Sequence, residues 1–441
     1  MSPKSQKKAT LYFLCLFIFL GASCGINKKI SHKLSKEFKT SAVLKNTAFG
    51  FALYDLQDEK MIFEKDASKY FVPASNTKLF TFYTVLKMLP QKIAALRYEE
   101  RNDSLIFWGT GDPSFLQTEL KDRSALNFLK ASNKKLFFSP GRYVGNKFGP
   151  GWAWDDYNDY FQAEISELPI MDNTVQVTGN SEGSFSISPK TFTSCFIKDS
   201  ANSNNFFVKR DLLKNEFHYS NSAPAANYQE RIPYSLNSQT TLNLLADTLH
   251  AFVGLVNIPM PKNAKTILGA DRDAVLTEML LPSDNFIAEQ LILLCSNQIS
   301  DTLQTKKTID YALNTYLKTL PDKPNWVDGS GLSRMNLFTP RDIIKILELI
   351  YKEVNNPSKL FAMLPAGGKA GTIKYAYPKT DNPFVFAKTG TLTGVHNQSG
   401  YVITKKGKTY LFSFMNNNFV DSTSAIRAEI VKTITLIHNN F

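Results

Sequence analysis

The sequence predicts an α+β fold: an antiparallel sheet flanked by helices, with a helical subdomain and a mostly β insertion. Three observations predict it. Strand-like runs near both chain ends are joined by short polar turns, which favours antiparallel neighbours. Four segments between residues 241 and 317 carry helical signals. The stretch from about Arg97 to Ser235 is rich in Asn, Ser, Phe and Tyr, with frequent turn signals and little helical period. At 441 residues and 43% hydrophobic, the chain is long enough to bury a large core spread over two or three domains.

Residues 1–24 read as a signal peptide. Lys4, Lys7 and Lys8 form a basic start, Leu11 to Leu20 is apolar, and Gly21, Ala22 and Ser23 lead into Cys24. The apolar run is too short to span a bilayer. Small residues ahead of a cysteine resemble the lipobox of bacterial lipoproteins, which makes Cys24 the predicted lipidation site. Gly21 departs from that pattern, standing where an aliphatic residue is usual. An ordinary signal peptide cut nearby is the alternative. The expected location is the periplasm or cell envelope, with a lipid anchor in the membrane.

Next, Phe49 to Tyr54 and Met61 to Glu64 read as a hairpin closed by Gln57-Asp58-Glu59-Lys60. Pro73 precedes a helical stretch, Ala74 to Leu89, that starts near Ser75. Residues 25–96 are thus the first part of the sheet domain, 97–237 a mostly β inserted region, and 238–441 the second part. In that second part, Thr241 to Val253, Asp273 to Leu281, Phe286 to Leu294 and Thr308 to Leu317 look helical. Phe384 to Thr391, Gln398 to Thr404 and Thr409 to Met415 read as strands. A closing helix from about Ser422 to Ile437 places Ile426, Ile430, Ile434 and Ile437 on one face. The economical arrangement is one sheet built from both chain ends.

The formal charge is +12, falling to +9 once the three lysines of the first 24 residues are set aside. A basic exported protein suits anionic cell-wall polymers and lipid headgroups. The lysines are not concentrated in one arm and no nucleic-acid motif is present, so nucleic acid is not expected as a partner. Beyond Cys15 and Cys24 only Cys195 and Cys295 remain, far apart and without a CxxC; buried free thiols are the simpler reading for them.

Three short elements carry chemistry: Ser75-Asn76-Thr77-Lys78, Ser283-Asp284-Asn285 and Lys388-Thr389-Gly390. Each alone is weak, since Ser-x-x-Lys recurs at Ser132–Lys135 and Ser-x-Asn at Ser235–Asn237. Their order and setting strengthen them: the first opens a helix, the second sits between two helices, the third lies on a strand. A spacing of three on a helix puts Ser75 and Lys78 on one face, so the amine reaches the hydroxyl. A serine nucleophile needs an adjacent base, and a lysine serves only when neutral, which burial and a nearby cation such as Lys388 favour. Ser283 would relay a proton to the leaving amine, and Asn285 would hold Lys78 and the substrate amide. Lys388 and Thr389 would bind a terminal carboxylate, while Gly390 lets a substrate backbone lie close. The N–H groups of Ser75 and Thr391 would form an oxyanion hole.

This set resembles the penicillin-binding protein and serine β-lactamase superfamily, with its S-x-x-K, S-D-N and K-T-G elements. More narrowly, the chain is similar to the D-alanyl-D-alanine carboxypeptidases of the penicillin-binding protein 4 type, peptidase family S13, which carry a long insertion between the first two motifs. Here 208 residues separate Ser75 from Ser283. Gly109–Ser114, Trp154–Tyr157, Asp328–Arg334 and Ala387–Leu392 match its local signatures. The segment before Ser283, Gly269-Ala270-Asp271-Arg272, lacks an expected His-Ser pair, and Glu164 replaces a usual proline. The resemblance implies a β-lactamase/transpeptidase-like domain and an acylation–deacylation cycle on peptidoglycan stem peptides. It also implies inactivation by β-lactams, with no metal or organic cofactor.

Plainer readings exist for each residue. Ser75 and Lys78 would otherwise be a helix cap and a solvated lysine, Ser283 and Asn285 another cap, and Lys388 an edge-strand lysine. Asp112 and Asp155 read as turn formers, Gly331 as a tight turn beneath the site, and His396 as structural. No Gly-x-Ser-x-Gly elbow, HExxH or phosphate-binding loop is present. The rivals are a β-lactamase, against which the long insertion argues, and a non-catalytic cell-wall-binding lipoprotein.

Overall fold

The computed structural model describes residues 28–199, 203–420 and 422–441. The predicted signal segment and Cys24 lie outside the described residues. A five-stranded sheet is assembled from both ends of the chain. In spatial order its strands are Val385–Leu392, Val395–Ile403, Thr409–Asn417, Ala48–Asp55 and Lys60–Lys65. All four pairings are antiparallel; three join strands linked by short connections, which favour that arrangement, and the fourth, Ala48–Asp55 with Thr409–Asn417, brings the two ends of the chain together. One face packs against the closing helix Thr423–Asn440, whose Ile426, Ile430, Ile434 and Ile437 are fully buried, and against a helix over 28–40 that buries Ile30 and Leu34.

The other face carries the helical subdomain. Its core joins Lys78–Met88, Arg272–Leu280, Asn285–Cys295, Thr305–Thr315, Pro340–Val354 and Pro357–Met363. The Pro340–Val354 helix is not among the predicted ones, although its signals are local. Thr339 caps it with Asp342 closing the box, proline stands in the first turn, and Ile343, Ile346, Leu347 and Ile350 form a buried stripe.

The inserted region has its own core and three small sheets. Its five-stranded sheet, led by Lys92–Arg101 and Ser104–Gly109, also takes Val253–Leu255 and Lys265–Asp271. The layer therefore draws strands from beyond residue 237. Composition cannot show this, because the pairing partners lie more than 100 residues apart. Among the described residues of 97–237 one α-helix, Ser124–Ala131, and several short 3₁₀ turns interrupt the β character. Cys195 is a free, half-buried thiol and Cys295 a free, fully buried one. Among the described residues, no helix is long and apolar enough to cross a membrane.

Candidate active site

The three elements meet at one cleft, between the sheet edge and the helical subdomain. Ser75 stands in a 3₁₀ turn, Ala74–Thr77, that runs directly into the Lys78–Met88 helix. Neighbouring strands anchor this turn. Asn397 Nδ2 donates to the carbonyls of Val72 and Pro73 at 2.9 and 2.8 Å, and Asn76 Nδ2 donates to Ser399 Oγ at 2.8 Å. Gly390 on the Val385–Leu392 strand lies against the same turn. A Cβ there would sit 2.6 Å from Pro73 O and 2.8 Å from Ser75 N, so only glycine permits the approach. Ala74, just before the serine, has a left-handed φ of 46°, a strained conformation for a non-glycine residue.

Lys78 Nζ lies 3.1 Å from Ser75 Oγ, 2.7 Å from Asn285 Oδ1 and 2.9 Å from Ser330 O. The last two are acceptors only. Asn285 is held in turn by donation from its Nδ2 to Phe161 O at 3.2 Å, which ties the insertion to the site. Asp284 caps the Asn285–Cys295 helix through Ile287 N, while Ser283 before it has φ 68°. The cap is thus Asp284, not Ser283 or Asn285, and Ser283 lines the cleft. Lys388 Nζ donates to Ser283 Oγ and to Thr389 O, both at 2.7 Å. A cavity of about 290 Å³ is lined by Ser75, Ser283, Asn285, Thr389 and Thr391, with Tyr160 and Phe161 from the insertion. A larger one, about 660 Å³, lies within the insertion and shares Tyr160, but Ser75 is not on its wall. The smaller cavity, lined by Ser75, Ser283 and Asn285, is the candidate site.

Both lysines are fully buried. Burial pushes Lys78 down to about 8, against the opposing pull of Asp284, Glu289 and Asp328. Lys388 is held well below the ordinary lysine range, by burial first and by the charge of Lys78 second. The three carboxyls are themselves raised by burial.

Glu289 and Asp328 build the floor. Glu289 accepts from the N–H groups of Gly329 and Ser330 at 3.0 and 2.7 Å. Asp328 accepts from Gly331 N, Ser333 N, Trp152 Nε1 and Asn336 Nδ2. Together they aim Ser330 O at Lys78. Glu289 is not among the predicted site residues; with Gln290 it is one of two polar side chains inside the apolar run Phe286 to Cys295, which marks a buried polar pair without showing its partners. Gly331 is the tight turn the sequence predicts, at φ 85°. Asp112 is a buried turn former accepting from Ser114 N and Oγ, and Asp155 is exposed. Among the described residues, no group of three or more His, Cys, Asp or Glu is placed to hold a metal ion.

The chain has relatives of known kind. A penicillin-sensitive carboxypeptidase A of Dictyostelium discoideum is 24% identical over 439 residues, covering 86% of this chain and 84% of the relative. D-alanyl-D-alanine carboxypeptidase DacB of Haemophilus influenzae is 24% identical over 424 residues, covering 83% and 85%. The crystal structure of penicillin binding protein 4 from Haemophilus influenzae shares the fold, with a TM-score of 0.71 at 20% identity, covering 92% of this chain and 98% of that one. The sequence profile of one family matches residues 30–437, nearly the whole described chain. The chain belongs to the D-Ala-D-Ala carboxypeptidase 3 (S13) family.

Proposed function

We propose that this chain is an exported serine DD-peptidase that cleaves D-Ala-D-Ala-type bonds of peptidoglycan stem peptides through an acyl-enzyme on Ser75. The observation that carries the reading is the environment of Lys78. A neutral amine has two N–H donors and one lone pair. The acceptors Asn285 Oδ1 and Ser330 O take both donors, which turns the lone pair toward Ser75 Oγ at 3.1 Å. Ser75 then donates its proton to Lys78 as its oxygen attacks the penultimate D-alanine carbonyl. The oxyanion is stabilised by the N–H groups of Ser75 and Thr391.

As the C–N bond breaks, the proton that Lys78 took from Ser75 is relayed through Ser283, which is bonded to Lys388 at 2.7 Å, to the departing amine, leaving Ser283 a hydroxyl and Lys78 neutral for the hydrolytic step. Water later releases the acyl group. The terminal carboxylate is held by Lys388 and Thr389, beside Gly390. Burial opposes charge on Lys388 in the empty site. An arriving carboxylate restores that charge, and a charged Lys388 in turn favours neutral Lys78. Substrate binding therefore prepares the base. β-Lactams, which present a carboxylate beside a reactive amide, acylate the same serine and inhibit. No cofactor enters the scheme.

The same proposal places the protein in the periplasm or cell envelope, anchored by a lipid on Cys24. The basic start, the apolar run and the small residues before Cys24 support this reading. A Cys24→Ala variant would then move from the membrane to the soluble fraction; unchanged membrane association would remove the anchor from the account. The enzymatic claim is tested by D-alanine release from a stem pentapeptide. Release is expected from the wild type and none from Ser75→Ala. A well-folded wild type that releases none would favour the non-catalytic binding reading.

A further inference from the structure

The end of the cleft beside Lys388 presents two hydroxyls, Thr389 and Thr391, from one face of the strand. Thr389 Oγ1 donates to Thr372 Oγ1 at 2.8 Å in the empty site, and its proton turns from Thr372 to a carboxylate when one arrives. Thr391 Oγ1 lies 2.8 Å from His396 Nδ1 on the neighbouring strand, and the two residues are direct cross-strand partners. A hydroxyl carries one proton. If Nδ1 is an acceptor, that proton points inward and Thr391 offers the cleft only lone pairs, which repel a carboxylate. If Nδ1 carries the hydrogen, it donates to Thr391, and the hydroxyl proton is free to point into the cleft.

Two further observations decide between these states. His396 is 1% exposed, and its Nε2 has no hydrogen-bond partner among the described residues. A second cavity of about 290 Å³ shares Thr372, Thr389 and Thr391 with the first and is also lined by His396, Gln398 and Arg427. Arg427, on the Thr423–Asn440 helix, is exposed. Burial first, and the charge of Arg427 second, hold the imidazole down to about 4, so it is neutral in the working range and carries one hydrogen only. A guanidinium can only donate. No acceptor meets Nε2, and a buried N–H without an acceptor is costlier than a bare lone pair, so the orphaned Nε2, with the positive charge of Arg427 on the same cavity, favours the hydrogen on Nδ1.

We propose that His396 and Arg427 are positioning residues that fix the imidazole with its hydrogen on Nδ1 and so aim the Thr391 hydroxyl proton at the carboxylate of the substrate or inhibitor. The inference rests on the acyl-enzyme reading above, and its test separates the two. Second-order acylation rates are measured with benzylpenicillin and with its methyl ester, which lacks the charged carboxylate. The proteins are the wild type, His396→Phe, Arg427→Gln and the double variant. His396→Phe is expected to slow the acid about tenfold or more, the scale of one charge-assisted hydrogen bond, and the ester less than about twofold. Arg427→Gln slows the acid selectively in the wild type and has no effect once the imidazole is gone. Nitrogen-15 spectra of histidine-labelled protein are expected to show His396 protonated on Nδ1.

Equal losses for acid and ester, or no loss in either, would overturn the proposal, as would an Arg427 effect that persists in the His396→Phe background. An Nε2-protonated His396 would overturn it as well. Should His396→Phe not fold, the Arg427→Gln selectivity and the spectra decide alone. A wild type acylated by neither compound would instead refute the acyl-enzyme reading, and this inference with it.

Discussion

Replacing Gly331 with alanine tests whether the loop beneath the site sets the position of the nucleophile. The residue has φ 85°, and a Cβ would lie 1.8 Å from Ala74 O, 2.4 Å from Ala74 C and 2.7 Å from Thr77 Oγ1. The left-handed conformation alone costs an alanine roughly 1–2 kcal/mol. The collision adds more, because contacts below 3.0 Å essentially never occur for a real Cβ and the nearest atom is backbone. The gap must therefore open by about 1 Å or more. Two elements can yield. One is the 328–334 loop, pinned by Glu289 and Asp328 through hydrogen bonds of 2.7–3.0 Å. The other is the Ala74–Thr77 turn, pinned by Asn397 and by the close pass of Gly390. Movement of either changes the Lys78–Ser75 geometry. A misplacement of 1 Å costs about 10²-fold in rate. Acylation by a chromogenic β-lactam should fall by that order, with a melting temperature lowered by several degrees. A Gly331→Ala protein that acylates at the wild-type rate would refute the claim that this loop positions Ser75.

Further outcomes follow from the same geometry. The acylation rate should rise tenfold per pH unit below about 8 and level off above it, since the reactive Lys78 is the neutral form; a flat profile from pH 6 to 9 would contradict that role. Asn285→Ala removes an acceptor 2.7 Å from Lys78 Nζ and the link to Phe161 O, and should cost about 10²–10³-fold in acylation with roughly 1–3 kcal/mol of stability, read by stopped-flow and thermal melts. Burial raises Asp112 to about 7, so its contribution to stability is fully present below the unfolded value near 4 and lost as pH rises through 7. The melting temperature of Asp112→Asn relative to wild type should therefore climb between pH 4 and 8, by the equivalent of up to about 4 kcal/mol; a pH-independent difference would refute it.

The residues that meet in the cleft were legible because each motif is local: Ser75 and Lys78 are three positions apart at the start of one helix, and Lys388 to Gly390 share a strand. The central sheet was legible for a related reason, since turns such as Gln57–Lys60 and Lys405–Lys408 join its strands. The floor of the site was not. Glu289 acts on backbone N–H groups 40 and 41 residues away, and nothing in its own helix announces that. His396 read as structural, and only the cross-strand register sets its imidazole against Thr391. The insertion was harder still. Its sheet closes with strands from 253 to 271, and three consecutive non-glycine residues, Met171, Asp172 and Asn173, adopt left-handed backbone. Local propensity argues against that conformation.

The most direct measurement of the central claim is the mass of the purified protein after exposure to benzylpenicillin, with the modified peptide then sequenced. The account predicts one added penicilloyl group, located on Ser75 and absent from Ser75→Ala. An unmodified wild type, or an adduct mapped to any other residue, would contradict it.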